Sequence, residues 1–343
     1  MIKFDRLYCL IIVIILINII YYYENWHYNV VEENLINEPF TINETFSMII
    51  KDKPFPWSFL NTKLKETKVD NFCRFNKRKS WRRKLVNINN IPLIFNILGS
   101  NDIVSENIFR YGLWESSIVQ TTLKLLVLTS KKFGNISYLD IGANIGWFTT
   151  IIAKHGWNTI AIEPMNENIE ILANNLCDNN LTNVTVFHSG LGLKEEICWL
   201  ISGEVNTGDG LVKCGTKPED PWIDNRGYVY RIRNEVKINL LDDYLNSIYI
   251  NPPIGVMKID VEGYEENVFR GGLNFLKNYP PYYILIEIIY SYRPEFIHLL
   301  YEYGYYIATP DCQNPVILEY HVDSFMKNFR NFPDMCFVHK TAI

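Results

Sequence analysis

The sequence predicts an α/β fold: a doubly wound, mostly parallel sheet, preceded by a single transmembrane helix and a stem. Three observations carry this. From residue 138 onward, short apolar runs alternate with helix-patterned stretches, the rhythm of strands joined by right-handed crossovers. The first of these runs ends in an acid followed by a glycine turn, within 138–148. Residues 7–23, LYCLIIVIILINIIYYY, are almost wholly apolar and broken only by Asn18. At roughly 1.5 Å per residue that segment just spans a bilayer core.

Lys3 and Arg6 precede the apolar segment, and no Lys or Arg follows it until Lys51. The positive-inside bias puts the short N-terminus in the cytosol and the rest beyond the membrane. Tyr21, Tyr22, Tyr23 and Trp26 suit an interfacial aromatic belt. A cleaved signal peptide is the alternative, but the bulky flank after Tyr23 lacks a small-residue cleavage site. The expected division is a cytosolic tail at 1–6, a signal anchor at 7–23, a polar stem at 24–87 and a catalytic domain at 88–343. That is a single-pass type II arrangement, with the body in the lumen of the endoplasmic reticulum or Golgi. N-x-S/T sequons stand at Asn43, Asn135, Asn180 and Asn183. Cys73, Cys177, Cys198, Cys214, Cys312 and Cys336 lie beyond the membrane, an even number that permits disulfides. None belongs to a CxxC pair, so no zinc site is expected.

The composition, 48% hydrophobic and 14% aromatic, excludes a disordered chain. A net charge of −5 speaks against a nucleic-acid partner. The local exception, KRKSWRRK from Lys77 to Lys84, either grips anionic groups or forms a solvated surface.

Along the body, Ile118, Thr122, Leu125 and Leu126 recur at helical spacing and predict a helix over 115–131. Strands follow at 138–141, 159–163, 184–188, 255–260, 283–288, 305–308 and 335–339. Helices are expected at 146–155, 166–179, 240–247, 264–277 and 295–303. An aromatic-rich segment at 193–238, with Trp199, Trp222, Tyr228 and Tyr230, overhangs the carboxyl edge of the sheet; Cys198 and Cys214 bracket its first part. Its aromatics suit either sugar stacking or ordinary packing.

Three motifs carry chemistry. In YLDIGANIGWF (138–148) a strand ends in Asp140, and Gly142 and Gly146 turn the chain into a helix. Glycine lets backbone approach a ligand closely. This is not the dinucleotide G-x-G-x-x-G pattern; one acid stands where a pyrophosphate cradle would be, which suits a cationic amino-acid ligand. In AIEP (161–164), Glu163 ends the second strand 23 positions after Asp140, placed to accept ribose hydroxyls. In MKIDVEGYE (257–265), Lys258, Asp260, Glu262 and Glu265 gather at a strand end, where doubly wound sheets bind ligands.

With YGLWE (111–115), AIEPMNEN (161–168), NTGDG (206–210), INLLDDYL (238–245), MKIDVEGYEENVFRGG (257–272) and IEI (286–288), these motifs resemble the FkbM-type methyltransferase family over about 105–290. The resemblance implies a Rossmann-like class I methyltransferase sheet of seven strands, the last antiparallel. It implies S-adenosyl-L-methionine as cofactor and, usually, a hydroxyl oxygen as acceptor. By position, Asp140, Gly142, Asn144 and Gly146 would form the cofactor loop, and Glu163 would take the ribose. His188, Ser189, Gly190 and Leu191 would border the adenine. Trp114 and Glu115 would close over the amino-acid end, and Asp260 would face that end and the acceptor.

Methyl transfer needs alignment and, for a neutral hydroxyl, a base. Asp260 and Glu262 are the candidates, with Lys258 tuning them by charge. A carboxylate-held divalent ion is an alternative that excess chelator would expose. The acceptor expected for a lumenal enzyme is a glycan or glycoconjugate. Two other readings remain: an inactive S-adenosylmethionine-binding scaffold, and a type II Golgi glycosyltransferase. The latter lacks a strand-end D-x-D, since Asp242–Asp243 falls in an expected helix.

Overall fold

The computed structural model describes residues 58–61, 64–68, 73, 81–99, 101–247, 252–287, 294–317, 321–328 and 334–343. The anchor expected at 7–23 and the sequon at Asn43 lie outside the described residues. No helix among the described residues is long and apolar enough to cross a membrane.

Strands β1 (Ser58–Asn61) and β2 (Leu64–Lys68) pair antiparallel. β3 (Arg82–Ile88) and β4 (Ile91–Ile97) form a second hairpin. These strands fall within or just after the stretch expected as an irregular stem, so 58–61, 64–68 and 82–87 of that stretch form strands instead. The β3–β4 turn is Asn89–Asn90, with φ 52° and 66°. Two positive-φ residues in a two-residue loop match the twist of a hairpin, and asparagine tolerates that conformation.

Helix α1 (Ile103–Tyr111) is capped by Asp102, whose Oδ1 accepts from Ser105 N at 2.7 Å. Helix α2 (Ser116–Phe133) leads to the central βα units: β5 (Ser137–Ile141), α3 (Trp147–Lys154), β6 (Asn158–Glu163), α4 (Asn166–Asp178) and β7 (Val184–His188). A second sheet comprises β8 (Gly190–Leu191), β9 (Glu196–Gly203), β10 (Asn206–Cys214), β11 (Trp222–Ile223) and β12 (Val229–Asn239). The chain then returns through α5 (Leu241–Ser247), β13 (Ile254–Ile259), α6 (Glu265–Arg270), α7 (Leu273–Asn278), β14 (Tyr283–Glu287), α8 (Pro294–Glu302), β15 (Tyr305–Ala308), α9 (Val322–Asn328) and β16 (Asp334–His339).

The main sheet has the order β15-β16-β14-β13-β5-β6-β7-β1-β2. β14, β13, β5, β6 and β7 run parallel, and β16 lies antiparallel between β14 and β15. The seven strands expected from the sequence are all present, each within one residue of its expected bounds. β5 and β13 are buried at every position, as strands covered on both faces must be.

The structure corrects or sharpens four expectations. The helix expected over 264–277 is two helices, because Gly271 packs directly on another backbone: a Cβ there would lie 2.0 Å from Gly192 O. The segment 193–238 is built into the antiparallel strands β9–β12, in the order β10-β9-β12-β11; along β9, Ile197 is exposed while Cys198 and Leu200 are buried, a period-2 alternation. The basic run lies at the surface where it is described, and two of its arginines make ion pairs there. Arg82 pairs with Glu106 at 3.1 Å, and Arg83 pairs with Asp178 at 2.6 Å. Finally, the sequon residue Asn183 is engaged in the fold: its Nδ2 donates to Ala153 O and Trp157 O at 2.9 and 2.8 Å.

The six cysteines pair as Cys73–Cys177, Cys198–Cys214 and Cys312–Cys336. Cys198 and Cys214 face each other across β9 and β10. Loop-closure entropy ranks their effects. The 104-residue separation of Cys73 and Cys177 corresponds to about 4.7 kcal/mol, and the 16-residue separation of Cys198 and Cys214 to about 3 kcal/mol. Replacing each pair by serines should therefore lower the urea midpoint more for Cys73–Cys177. Equal shifts would contradict this ranking.

Candidate functional site

A cleft partly open to solvent lies at the carboxyl ends of β5, β6, β7 and β13, where doubly wound sheets hold ligands. Its floor is the turn after β5. Gly142 N and Ala143 N donate to Ile162 O at 2.9 and 3.1 Å, and Asp260 N donates to Ile141 O at 3.0 Å. The turn is thus wedged between β6 and β13. Gly142 has φ 80°, and a Cβ there would sit 1.8 Å from Asp260 O, so only glycine fits. Gly146 caps α3 beside the cleft rather than lining it.

Asn144, with φ 51°, joins three parts of the site. Its backbone N donates to Glu163 Oε2 at 2.8 Å, and its Nδ2 donates to Gly208 O at 3.1 Å. Glu163 also accepts from Met165 N at 2.8 Å and from Asn168 Nδ2 at 3.3 Å. Burial pushes Glu163 up to about 7, against these amides, which lower it. Asn168 Nδ2 also reaches Gly208 O, at 2.9 Å. One carbonyl of the second sheet therefore collects two amide donors, one from the turn after β5 and one from α4. Gly208 N donates in turn to Asp102 Oδ2 at 2.9 Å.

Asp140 is 1% exposed and lies under the cleft, not on it. It accepts from Thr149 Oγ1 and, at 3.4 Å, from Tyr138 OH. Burial raises its pKa, while Lys258 and Thr149 oppose the shift. Lys258 is the centre of a buried charge group: its Nζ lies 2.8 Å from Asp260 Oδ2, 4.0 Å from Glu115 Oε2 and 4.8 Å from the Phe148 ring centre. Burial alone would depress Lys258, but Asp260, Glu115 and Asp140 outweigh it and hold it protonated. Glu115, at φ 43° before α2, is pushed up to about 7 by burial, which outweighs the attraction of Lys258. Neither Trp114 nor Glu115 lines the cleft; Trp114 O accepts from Trp147 Nε1 at 2.8 Å.

Asp260 lines the cleft, and its Oδ1 is buried without a hydrogen-bond partner among the described residues. Glu262 stands next to it at φ 55°. Glu262 and Asp209 of β10 hydrogen-bond through their carboxyls. Burial, then the charges of Asp209 and Asp260, push Glu262 up to about 10. It is therefore neutral near pH 7, a donor rather than the base expected from the sequence. Asp260, Glu262 and Glu287 bring one carboxylate oxygen each within 4.8 Å of one another, a spacing that a divalent cation can bridge. Burial followed by the Asp260 charge raises Glu287 to about 8.

Of the residues expected beside the adenine, Ser189, Gly190 and Leu191 line the cleft and His188 does not; His188 Nε2 sits 3.3 Å from Pro164 O. The structure adds Gly208, Asp209, Gly210 and Tyr264 to the lining. The NTGDG stretch was visible in the sequence, but nothing local says that its acid turns towards Glu262. Tyr264 OH lies 3.6 Å from Cys214 Sγ, which ties the Cys198–Cys214 disulfide to the cleft wall. Asp242 serves the fold: its carboxylate accepts from Asn274 Nδ2 and Phe275 N at 2.9 and 2.8 Å. That use weakens the glycosyltransferase alternative.

Residues 140–307 match the family described as the methyltransferase FkbM domain. Among solved structures, the chain is similar to a methyltransferase FkbM from Methylobacillus flagellatus KT (14% identity, TM-score 0.34, covering 69% of this chain and 60% of that one). It is similar to an S-adenosylmethionine-dependent methyltransferase from Agrobacterium tumefaciens (9%, 0.37, 67% and 60%). It is also similar to an O-methyltransferase from Bacillus cereus in complex with S-adenosylhomocysteine (12%, 0.35, 68% and 86%). The chain spans about 60% of the length of the first two. No curated protein matches it.

Proposed function

We propose, from the premise that residues 140–307 belong to the FkbM methyltransferase family, that the chain methylates a hydroxyl of a glycan or glycoconjugate, using S-adenosylmethionine. The observation that carries this reading is one cleft lined by both Glu163 and Asp260, the latter with a buried, unpartnered Oδ1. The donor set fits the cofactor: a carboxyl at the end of β6 for ribose hydroxyls, a second at the end of β13 for an ammonium or an acceptor hydroxyl, and a Gly142 turn with no room for a side chain. When bound, the cofactor supplies an electrophilic methyl on a sulfonium.

The chain's residues do the rest. Asn144 and Asn168 fix Glu163 against the second sheet, so the ribose acceptor is preorganised. Lys258 orients the Asp260 carboxylate through Oδ2 and leaves Oδ1 to take the proton of an incoming hydroxyl. Glu262 keeps its own proton, shared with Asp209, and so cannot deprotonate the acceptor.

The same proposal places the body in the secretory pathway, behind a signal anchor at 7–23. Its supports are the apolar run, the charge asymmetry around it, and three disulfides of a kind that persist in oxidising compartments.

Incubating the detergent-solubilised full chain with methyl-labelled S-adenosylmethionine and a panel of neutral and acidic glycans tests the activity. Alkali-stable label on sugar is expected; label on protein carboxyls or amines would overturn the hydroxyl assignment. Glu163 gives a second test. An ionised carboxylate accepts ribose hydroxyls better than a neutral one. Affinity for S-adenosylhomocysteine should therefore rise by up to tenfold per pH unit below about 7 and level off above it. Calorimetric titration on either side of that value reads the slope, and Glu163→Gln should flatten it. A flat profile in the parent chain would remove Glu163 from the ribose position.

A further inference from the structure

We infer that Asn135 and Asn180 carry N-linked glycans in the folded chain and that Asn183, although also in a sequon, carries none. The inference rests on the lumenal placement proposed above and adds a choice among sequons that the sequence alone does not make. All three residues precede strands of one sheet, yet their side chains stand in different surroundings.

Asn135 lies exposed in the loop from α2 to β5, and Asn180 lies exposed in the loop from α4 to β7. Neither side-chain amide takes part in the hydrogen bonds of the described residues, so nothing in the fold is lost when either is modified. Asn183 is half-buried. Its Nδ2 spends both hydrogens on Ala153 O and Trp157 O, and its own carbonyl accepts from Thr159 N at 2.9 Å. It thereby pins the start of β7 to the passage from α3 into β6.

Glycosylation forms a bond from Asn Nδ2 to the anomeric carbon of an oligosaccharide. It breaks the bond from that carbon to the diphosphate of a polyprenyl-diphosphate donor. The amide loses one proton and the polyprenyl diphosphate departs. At Asn183 the product would retain one N–H where the fold uses two, and a sugar would have to sit between α3 and β7. Chains modified there cannot close this corner, so the folded population is unmodified at Asn183.

Geometry also makes the two favoured sites compatible with catalysis. β5 and β7 run parallel with β6 between them. The loops carrying Asn135 and Asn180 thus lie at the amino-terminal edge of the sheet, while the cleft lies at the carboxyl edge. Glycans there leave the cleft free.

The test expresses the full chain in cultured eukaryotic cells and releases N-glycans with an amidase in heavy-oxygen water, which marks each occupied asparagine as a labelled aspartate. Peptide mapping should find label at Asn135 and Asn180 and none at Asn183. Asn135→Gln and Asn180→Gln should each remove one mobility step. Thr185→Ala, which destroys the Asn183 sequon without touching Asn183, should remove none. Label at Asn183 in folded protein overturns the choice. Unlabelled Asn135 and Asn180 in a chain whose three disulfides have formed overturn the two sites alone. Unlabelled asparagines together with free thiols overturn the lumenal placement, and the glycosylation sites with it.

Discussion

Asp260→Asn should lower methyl transfer by about 10²–10⁴-fold while cofactor binding and the fold persist. The argument is one of charge and position. Asp260 stands at the end of β13 with Oδ2 on Lys258 and Oδ1 buried and unpartnered in the cleft. Asparagine keeps an acceptor for Lys258 but cannot take a proton. Glu115 and Asp140 still balance the buried ammonium. Glu262→Gln is the informative contrast. Glu262 already holds a proton near neutral pH, and a carboxamide replaces a neutral acid closely, so turnover should stay within about tenfold of the parent. Initial rates on any acceptor labelled in the panel, with S-adenosylhomocysteine titrations on each variant, separate the two. Parental turnover in Asp260→Asn would show that the base lies elsewhere. The same assay in excess chelator decides what relieves the crowding of Asp260, Glu262 and Glu287. Unchanged turnover assigns it to the proton on Glu262, and lost turnover to a divalent cation.

Gly142→Ala should destabilise the chain by roughly 2–5 kcal/mol, combining the left-handed backbone cost with overpacking. The added methyl would stand 1.8 Å from Asp260 O, which is backbone and cannot rotate away. β5 and β13 must then separate where both hold the cleft, so affinity for S-adenosylhomocysteine falls as well. Gly112→Ala isolates the first of the two costs. Gly112 is left-handed, with φ 72° and ψ 18°, and its Cβ would meet only Val86 Cγ1 at an ordinary 3.7 Å, so about 1–2 kcal/mol is expected. Urea unfolding of both variants checks the difference. Equal losses would show that the contact with Asp260 O relaxes freely.

Much of this architecture is written locally. β5 and β13 are uninterrupted apolar runs, and such runs read as buried parallel strands without tertiary information. Glu163 and Asp260 were legible because each ends such a strand. The second sheet was not, since its strands mix Cys198 and Leu200 with Trp199, Lys213 and Arg231, and their pairing is set by register over some forty residues. The short signal at Asn89–Asn90 specified a hairpin, yet it lay in a stretch dominated by Asn and charge. Within the site, Asp140 and Glu262 changed roles once depth was known. Asp140 is covered and bonded from within, and Glu262 is held neutral first by burial and then by a partner 53 positions earlier, Asp209. Burial and long-range pairing decide protonation, and neither is a property of a motif.

The position of β16 has a consequence for synthesis. This strand is the last of the sheet in chain order, yet it sits inside, between β14 and β15, with Cys336 bonded to Cys312. β14 and β15 therefore have no partner on their facing edges until residues 334–339 have left the ribosome and, on the lumenal reading, passed the translocation pore. A nascent chain stalled or cut before residue 334 presents two open, apolar strand edges to its surroundings. Premature termination this late should yield retained, aggregation-prone protein rather than a slightly shortened enzyme.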